Sequence, residues 1–297
     1  MNHFSRISVF IYLAVAATKC GFAQQPPPQP PAPPPPTPGI TQVIQPPPAP
    51  PPPPELPQQD EGKFSIEPDA FILRGHPIFN SGAAYTDTST AARVVLPGKN
   101  SLSFGGNVRV PAGKHNAIRV TYMEVKGSGT YVAPTALDLW GGGFNAGDSI
   151  ISDYRVRYVD FSFDYLTWPW PPAARKFRLK TLWQIQYASV NSSFLAPEST
   201  NVNPTGSGSK TIILPALGLG VTEYFAKNAR VEANASGFAI PGHSALANVD
   251  ADVAYKFGIL EIRAGAKLFY FKSSPKSDFD LKGRLTGAFV GIRLYAP

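Results

Sequence analysis

The stretch KFRLKTLWQIQYAS, residues 176–189, decides how this chain is read. Phe177, Leu179, Thr181, Trp183, Ile185 and Tyr187 share one parity; Arg178, Lys180, Gln184 and Gln186 share the other, with Leu182 the one misfit. Successive side chains of a strand point to opposite faces, so the segment has an oily wall and a polar wall. Residues 259–271 repeat the pattern: Leu260, Ile262, Ala264, Ala266, Leu268 and Tyr270 oppose Glu261, Arg263 and Lys267. Residues 246–257 do so again, with Ala247, Val249, Ala251, Val253, Tyr255 and Phe257 opposing Asn248, Asp250, Asp252 and Lys256.

Weaker copies follow the same rule. Leu102, Phe104, Val108 and Val110 oppose Asn107 and Arg109; Ile118, Val120 and Tyr122 oppose Arg119 and Thr121; Val231, Ala233 and Ala235 oppose Arg230, Glu232 and Asn234. Between Tyr154 and Tyr165 the parity changes: Tyr154, Val156 and Tyr158 are even, whereas Val159, Phe161, Phe163 and Tyr165 are odd. One extra residue shifts a strand's parity, which predicts a β-bulge near Tyr158–Asp160.

The strands are long, and their charges recur near mid-strand opposite runs of apolar residues, which suits tilted strands in a bilayer. An all-β, antiparallel up-and-down transmembrane barrel is therefore expected. Its predicted lipid-facing set is Phe177, Leu179, Trp183, Ile185, Tyr187, Val249, Val253, Tyr255, Leu260, Ile262, Leu268 and Tyr270. Its predicted lumen-lining set is Arg109, Arg119, Arg178, Lys180, Gln184, Arg230, Glu232, Asp250, Asp252, Lys256, Glu261, Arg263 and Lys267. A soluble barrel with the oily faces inward uses the same alternation; the amino terminus argues against it.

There, Arg6 precedes a short apolar run, Ile7–Ala17, followed by Gly21-Phe22-Ala23. A charged start, an apolar middle and small residues at the cleavage positions make residues 1–23 a signal peptide. The run is too short to span a bilayer as a helix, which needs about 20 apolar residues. The chain's single cysteine, Cys20, lies inside this leader with Lys19 before it, so neither a disulfide framework nor a cysteine metal site is expected in the exported chain. Residues 24–60 are proline-rich and read as an extended polyproline II linker in the periplasm. The linker is a passive spacer, or a stiff arm that touches the cell wall or a periplasmic protein. Residues 61–297 remain for one barrel-sized domain. The formal charge of +7 is spread over strand faces and loops without a basic patch, which excludes nucleic acid as a partner.

Nine strands can be counted back from the carboxyl end, near 281–294, 259–271, 246–257, 229–240, 211–224, 176–190, 151–165, 116–126 and 101–110. Their connections alternate between short and long, as periplasmic turns and outer loops do. Bacterial barrels have even strand numbers, so a leading strand is required; Phe71–Arg74 or Ala91–Leu96 could supply it. Ten strands are expected, with eight or twelve as alternatives. From about Lys63 to Pro297 the chain resembles the small outer-membrane β-barrel superfamily, the broad group of OmpA-like and OmpW-like barrels. The resemblance rests on pattern. It implies an outer-membrane location in a Gram-negative bacterium, surrounding lipid, and insertion machinery that reads a terminal strand. Here Ala288, Val290, Ile292 and Leu294 alternate, and Tyr295 is followed by Ala296-Pro297, a departure from a terminal aromatic. Trp168, Trp170, Tyr165 and Phe163 cluster at one strand end, where an aromatic girdle meets headgroups; Trp168-Pro169-Trp170 also reads as a rigid turn.

No cofactor, metal-ligand spacing or catalytic motif stands out. The lumen charges read as a structural ionic plug, with a narrow anion-preferring pore as the sharper alternative. Three function classes stay open: a non-enzymatic barrel that is structural or passes small solutes; an outer-rim hydrolase using His243 beside Ser244 with Asp138, Asp148, Asp278 or Asp280; and a secreted soluble barrel binding a hydrophobic ligand.

Overall fold

A computed structural model describes residues 63–75, 77–81, 92–96, 102–169, 176–274 and 279–296. The expected signal peptide (residues 1–23) and the expected proline-rich linker (residues 24–60), together with Trp170 and Asp278, lie outside the described residues. Among the described residues fourteen strands form: β1 (Ser65–Arg74), β2 (Ile78–Ser81), β3 (Ala92–Val95), β4 (Leu102–Pro111), β5 (Ala117–Val132), β6 (Leu137–Leu139), β7 (Gly142–Phe144), β8 (Ser149–Trp168), β9 (Phe177–Leu195), β10 (Thr205–Ala226), β11 (Ala229–Ala239), β12 (Ala245–Phe257), β13 (Leu260–Lys272) and β14 (Phe279–Tyr295).

Ten of them, β1, β4, β5 and β8–β14, run antiparallel to their neighbours around a ring that β1 closes by pairing with β14. The chain is a closed ten-stranded transmembrane barrel. The required leading strand is Ser65–Arg74, longer than the Phe71–Arg74 candidate. Ala92–Val95 is instead half of a hairpin, β2–β3, added to the outer end of β14. At the closing seam a side chain on Gly287 would collide with the backbone carbonyl of Ile72, so only glycine lets β1 and β14 approach.

Both ends of the barrel chain lie together, Ser65 opposite Tyr295, at the end that carries the short turns. Short turns mark the periplasmic side. The opposite end carries the β2–β3 hairpin, the β6–β7 hairpin and the longer loops. The wall is uneven. β5, β8, β9 and β10 have 16, 20, 19 and 22 residues, whereas β11, β12 and β13 have only 11, 13 and 13, so one side stands well above the other.

The bulge expected near Tyr158–Asp160 is absent. β8 pairs without interruption from Asp164 to Ser149 with β5, and its register shift against β9 falls between Leu166 and Trp168. Parity does not change; polarity does. Along β8 the inward residues are Asp164, Ser162 and Asp160, then Tyr158, Val156 and Tyr154. The outward ones are Tyr165, Phe163, Phe161 and Val159, then Arg157, Arg155 and Asp153. Both faces change character at the same height. β5 does likewise: Arg119 and Thr121 give way inside to Met123 and Val125, while Ile118, Val120 and Tyr122 give way outside to Glu124 and Lys126. β9 changes inside from Gln186 to Ala188 and outside from Tyr187 to Ser189.

The barrel thus has two tiers. In the lower tier the outside is apolar and the inside is charged. From Phe177 to Tyr187 that apolar belt climbs roughly 26 Å for a strand tilted about 40°, close to the height of a lipid-facing band. In the upper tier the outside is polar and the inside is a hydrophobic core, as in a water-soluble barrel. That core joins Phe71, Leu73, Met123, Tyr158, Phe269 and Phe271 to side chains from the two outer hairpins, among them Phe79, Leu139 and Phe144.

Candidate functional site

Buried charge is concentrated, among the described residues, in the interior of the lower tier. Among the described residues sixteen ionisable side chains are buried there. Eight are basic (Arg109, Arg119, Arg178, Lys180, Arg230, Arg263, Lys267 and Arg293) and eight acidic (Glu67, Asp69, Asp160, Asp164, Glu232, Asp250, Asp252 and Glu261).

A strand that exposes one parity to lipid must bring the other inside, and each barrel strand contributes to a shared network. The Arg263 guanidinium lies between Glu67 and Asp252 and contacts both. Glu67 continues to Arg293 at 2.5 Å, Arg293 to Glu261 at 3.1 Å, and Glu261 to Arg230 at 2.9 Å. Longer contacts of 3.7 Å lead from Arg230 to Glu232, from Glu232 to Arg109 and from Arg109 to Asp164, and Arg119 closes the run on Asp164 at 3.2 Å. Ten alternating charges therefore cross the barrel from β12 to β5. The Tyr295 hydroxyl accepts from Arg230 at 3.2 Å and donates to Glu261 at 3.1 Å. The last aromatic of the chain consequently points inward, while Val290, Ile292 and Leu294 stay exposed.

Neutral polar groups fill the remainder. Gln184 donates to Asp160 at 3.1 Å, Gln186 to Ser236 at 3.0 Å, and Asn234 to Asp250 at 2.9 Å. The Arg178 guanidinium stacks 4.7 Å from the Tyr224 ring. Each buried carboxylate without a cation would cost several kcal/mol, so the balance of signs is what makes this interior stable. A cavity lined by Glu67, Asp69, Arg119, Asp250, Arg263 and Lys267, among others, measures only about 20 Å³. That is room for about one water molecule.

All of the residues expected in the lumen are buried except Lys256, which is half-buried at the periplasmic mouth with its Nζ 4.5 Å from the Tyr295 ring. The residues expected at the lipid are exposed or half-buried on the outer face; Trp183 is 57% exposed and Arg178 beside it 1%. The misfit Leu182 faces the interior. The expected excess of lumen cations is corrected, because the sequence reading missed four acids and one base. Glu67 and Asp69 lie on the unrecognised part of β1, Asp160 and Asp164 oppose the apolar Phe161, Phe163 and Tyr165 on β8 but were absent from the expected set, and Arg293 sat on the final strand. The parity of Arg293 against Ile292 and Leu294 was the available signal.

Above the charges, Trp140 closes the upper tier. Its Nε1 donates to Ser192 at 2.8 Å, its ring lies 5.2 Å from that of Phe79, and it packs where a side chain on Gly208 would stand. The outer-rim residues considered for hydrolysis come from separate loops and strands, and among the described residues no hydrogen bond joins His243 to Asp138, Asp148 or Asp280. His243 is exposed in the β11–β12 turn, and its backbone N–H donates to Ile240. Asp138 accepts from the Gly141 N–H, and Asp148 accepts from the Asn145 N–H and from Ser199 Oγ. Asp280 belongs to β14. No group of His, Cys, Asp and Glu suited to a metal occurs among the described residues.

No protein-family model matches the sequence, and no curated protein matches it. Among solved structures the chain is similar to the outer membrane protease OmpT from Escherichia coli, with a TM-score of 0.51 and 8% identity over 80% of this chain and 97% of that one. Lower similarity links it to the translocator domain of the autotransporter NalP from Neisseria meningitidis, with a TM-score of 0.38 and 12% identity over 78% of this chain and 88% of that one. Similarity is also low to the attachment invasion locus protein Ail of Yersinia pestis, with a TM-score of 0.33 and 11% identity over 78% and 99%. At such identities the likeness is one of fold. The closed ring, the apolar belt and the likeness to OmpT, which shows the fold, together define the class: the chain is a transmembrane β-barrel of the outer-membrane type.

Proposed function

We propose that this barrel is a non-enzymatic outer-membrane protein with a closed lumen, acting as a structural element through its outer surface and not as a solute channel. One observation carries this reading: the lumen is filled twice, by a balanced ion network at bilayer height and by an apolar core above it. A hydrated ion would have to break paired charges that are costly to separate, and then cross a dry hydrophobic layer. That Asp138 and Asp148 are each engaged by backbone N–H groups within their own loop, and not by a histidine, supports the non-enzymatic part.

The test is single-molecule conductance in a planar bilayer, with the full chain inserted at neutral pH. The expected trace has no stepwise current. Steady, ion-selective steps from the unaltered protein would overturn the closed-lumen reading and favour solute passage.

A further inference from the structure

We infer that the free upper edge of β10 takes up an extended segment of an outside protein as an added strand, with an acidic residue of that segment opposite Lys210. The edge follows from unequal neighbours: β10 has 22 residues and β11 only 11. The last pair between them is Leu217 with Gly237, and the chain turns back at Ile240, whose N–H donates to the Ser244 carbonyl. On its other side β10 stays paired with β9 up to Thr205 and Leu195. Among the described residues no strand pairs with residues 207–216 on the β11 side.

The ladder shows which backbone groups are free. The Tyr224 N–H donates to the Lys176 carbonyl at 2.8 Å, and the Pro204 carbonyl accepts from the Ala196 N–H at 2.9 Å. Even-numbered residues of β10 therefore turn their N–H and C=O toward β9, and odd-numbered ones turn theirs the other way. Ser207, Ser209, Thr211 and Ile213 aim theirs at the open edge. Pro215 has the same parity, which is where a strand tolerates a residue without an N–H, and it marks the lower limit of the edge. Ile213 pairs with Tyr187 at the top of the belt, and Thr211 with Ser189 just above it. The edge thus stands in water on the outer side of the membrane.

A row of unpaired N–H and C=O groups is a template for another strand. Outward charges commonly guard such edges, but the outward side chains here are Ser207, Ser209, Thr211 and Ile213. The one charged residue of 207–216, Lys210, faces inward with its Nζ 5.9 Å from the Trp140 ring. Side chains opposite each other on paired strands share a face. A strand that prolongs the line of β11 runs antiparallel to β10. It places one inward residue beside Ile212, at the margin of the upper apolar core, and the next inward residue beside Lys210. The first position suits valine or isoleucine and the second a carboxylate, with water-facing residues between. The occupant is thus a segment that reads apolar, polar, acidic from its amino end. A second copy in the same membrane would bring its β10 in the same sense and could not pair antiparallel. The edge belongs to the outer wall, so its use does not depend on whether the lumen conducts.

The test uses the full chain in detergent micelles and fluorescence anisotropy of a labelled peptide, Thr-Val-Thr-Glu-Thr-Ala-Thr. In the register above, the N–H groups of its threonines face β10 and those of its valine and glutamate face away. N-methylation of the threonines should abolish binding, and N-methylation of the valine and glutamate should leave it intact. Thr211→Pro removes one edge N–H that β9 does not use, and should weaken binding roughly five- to tenfold. Replacing the peptide's glutamate by lysine should weaken it about severalfold, and Lys210→Gln should erase that preference. No binding of the unmodified peptide, equal affinity for the two methylated peptides, equal affinity for the glutamate and lysine peptides, or indifference to Thr211→Pro overturns the inference. Should Thr211→Pro lose its heat-dependent gel mobility, the two methylated peptides decide alone.

Discussion

Two regions of the same strands obey opposite rules. On β13, within the bilayer, Arg263 faces inward and Ile262 outward. On β8, a little higher in the barrel, Val156 faces inward and Arg155 and Arg157 outward. The backbone, the hydrogen-bond ladder and the parity continue unbroken through the change. What differs is the surrounding solvent. Hydrocarbon outside selects apolar side chains there and leaves polar ones for the interior; water outside reverses the choice. In either tier a slip of one residue would transpose every side chain, sending Arg263 into lipid or Val156 into water. The register is thus specified twice, with opposite sign.

The comparison breaks most severely where a buried charge loses its partner. Arg263 serves Glu67 and Asp252 together. Arg263→Ala should therefore destabilise the barrel by about 3–5 kcal/mol, read from the urea midpoint of folding into lipid vesicles. Arg155→Ala, on the wet face of the upper tier, should leave that midpoint in place. Equal losses would mean that the tiers do not differ in how they hold charge.

Height can be isolated on a single face of one strand. Trp183 and Ser193 both point outward from β9, the first within the belt and the second above it. Trp183→Lys should cost about 2–4 kcal/mol in vesicles and Ser193→Lys about 0–1 kcal/mol, because the penalty for a cation facing lipid fades toward the interface. Similar costs at both positions would place the edge of the bilayer elsewhere.

Most of the fold was legible because alternation is read directly from residues such as Phe177 to Tyr187. The lumen was legible wherever a strand carried Arg, Lys, Asp or Glu against an unbroken apolar parity, as with Arg263 beside Ile262. Two things hid the remainder. β1 places Pro68 among its outward positions and shares its inward parity between Glu67, Asp69, Phe71 and Leu73, so neither face looked uniform. β8 crosses the tier boundary, and an inversion of polarity on a straight strand has the same sequence signature as a one-residue bulge. Only the pairing partners separate the two, and those are non-local: Tyr158 meets Met123 and Ala188, both of them apolar inward residues.

The finest test exchanges nearly isosteric groups across the boundary on β8. Val156 is fully buried and pairs with Val125 on one side and Val190 on the other. Six residues further along the inward face, Ser162 sits between Arg119 and Gln184, and its hydroxyl donates to Asp164 at 2.5 Å. Val156→Thr keeps the shape but places a hydroxyl among apolar neighbours, which should cost about 1–3 kcal/mol. Ser162→Ala removes a hydrogen bond to a carboxylate and should cost at the lower end of that range. The informative quantity is the sign: polarity added above the boundary and polarity removed below it should both destabilise, measured by the same vesicle titration. A neutral or stabilising Val156→Thr would mean that water reaches the upper core, and the barrel would then have one polar interior from end to end.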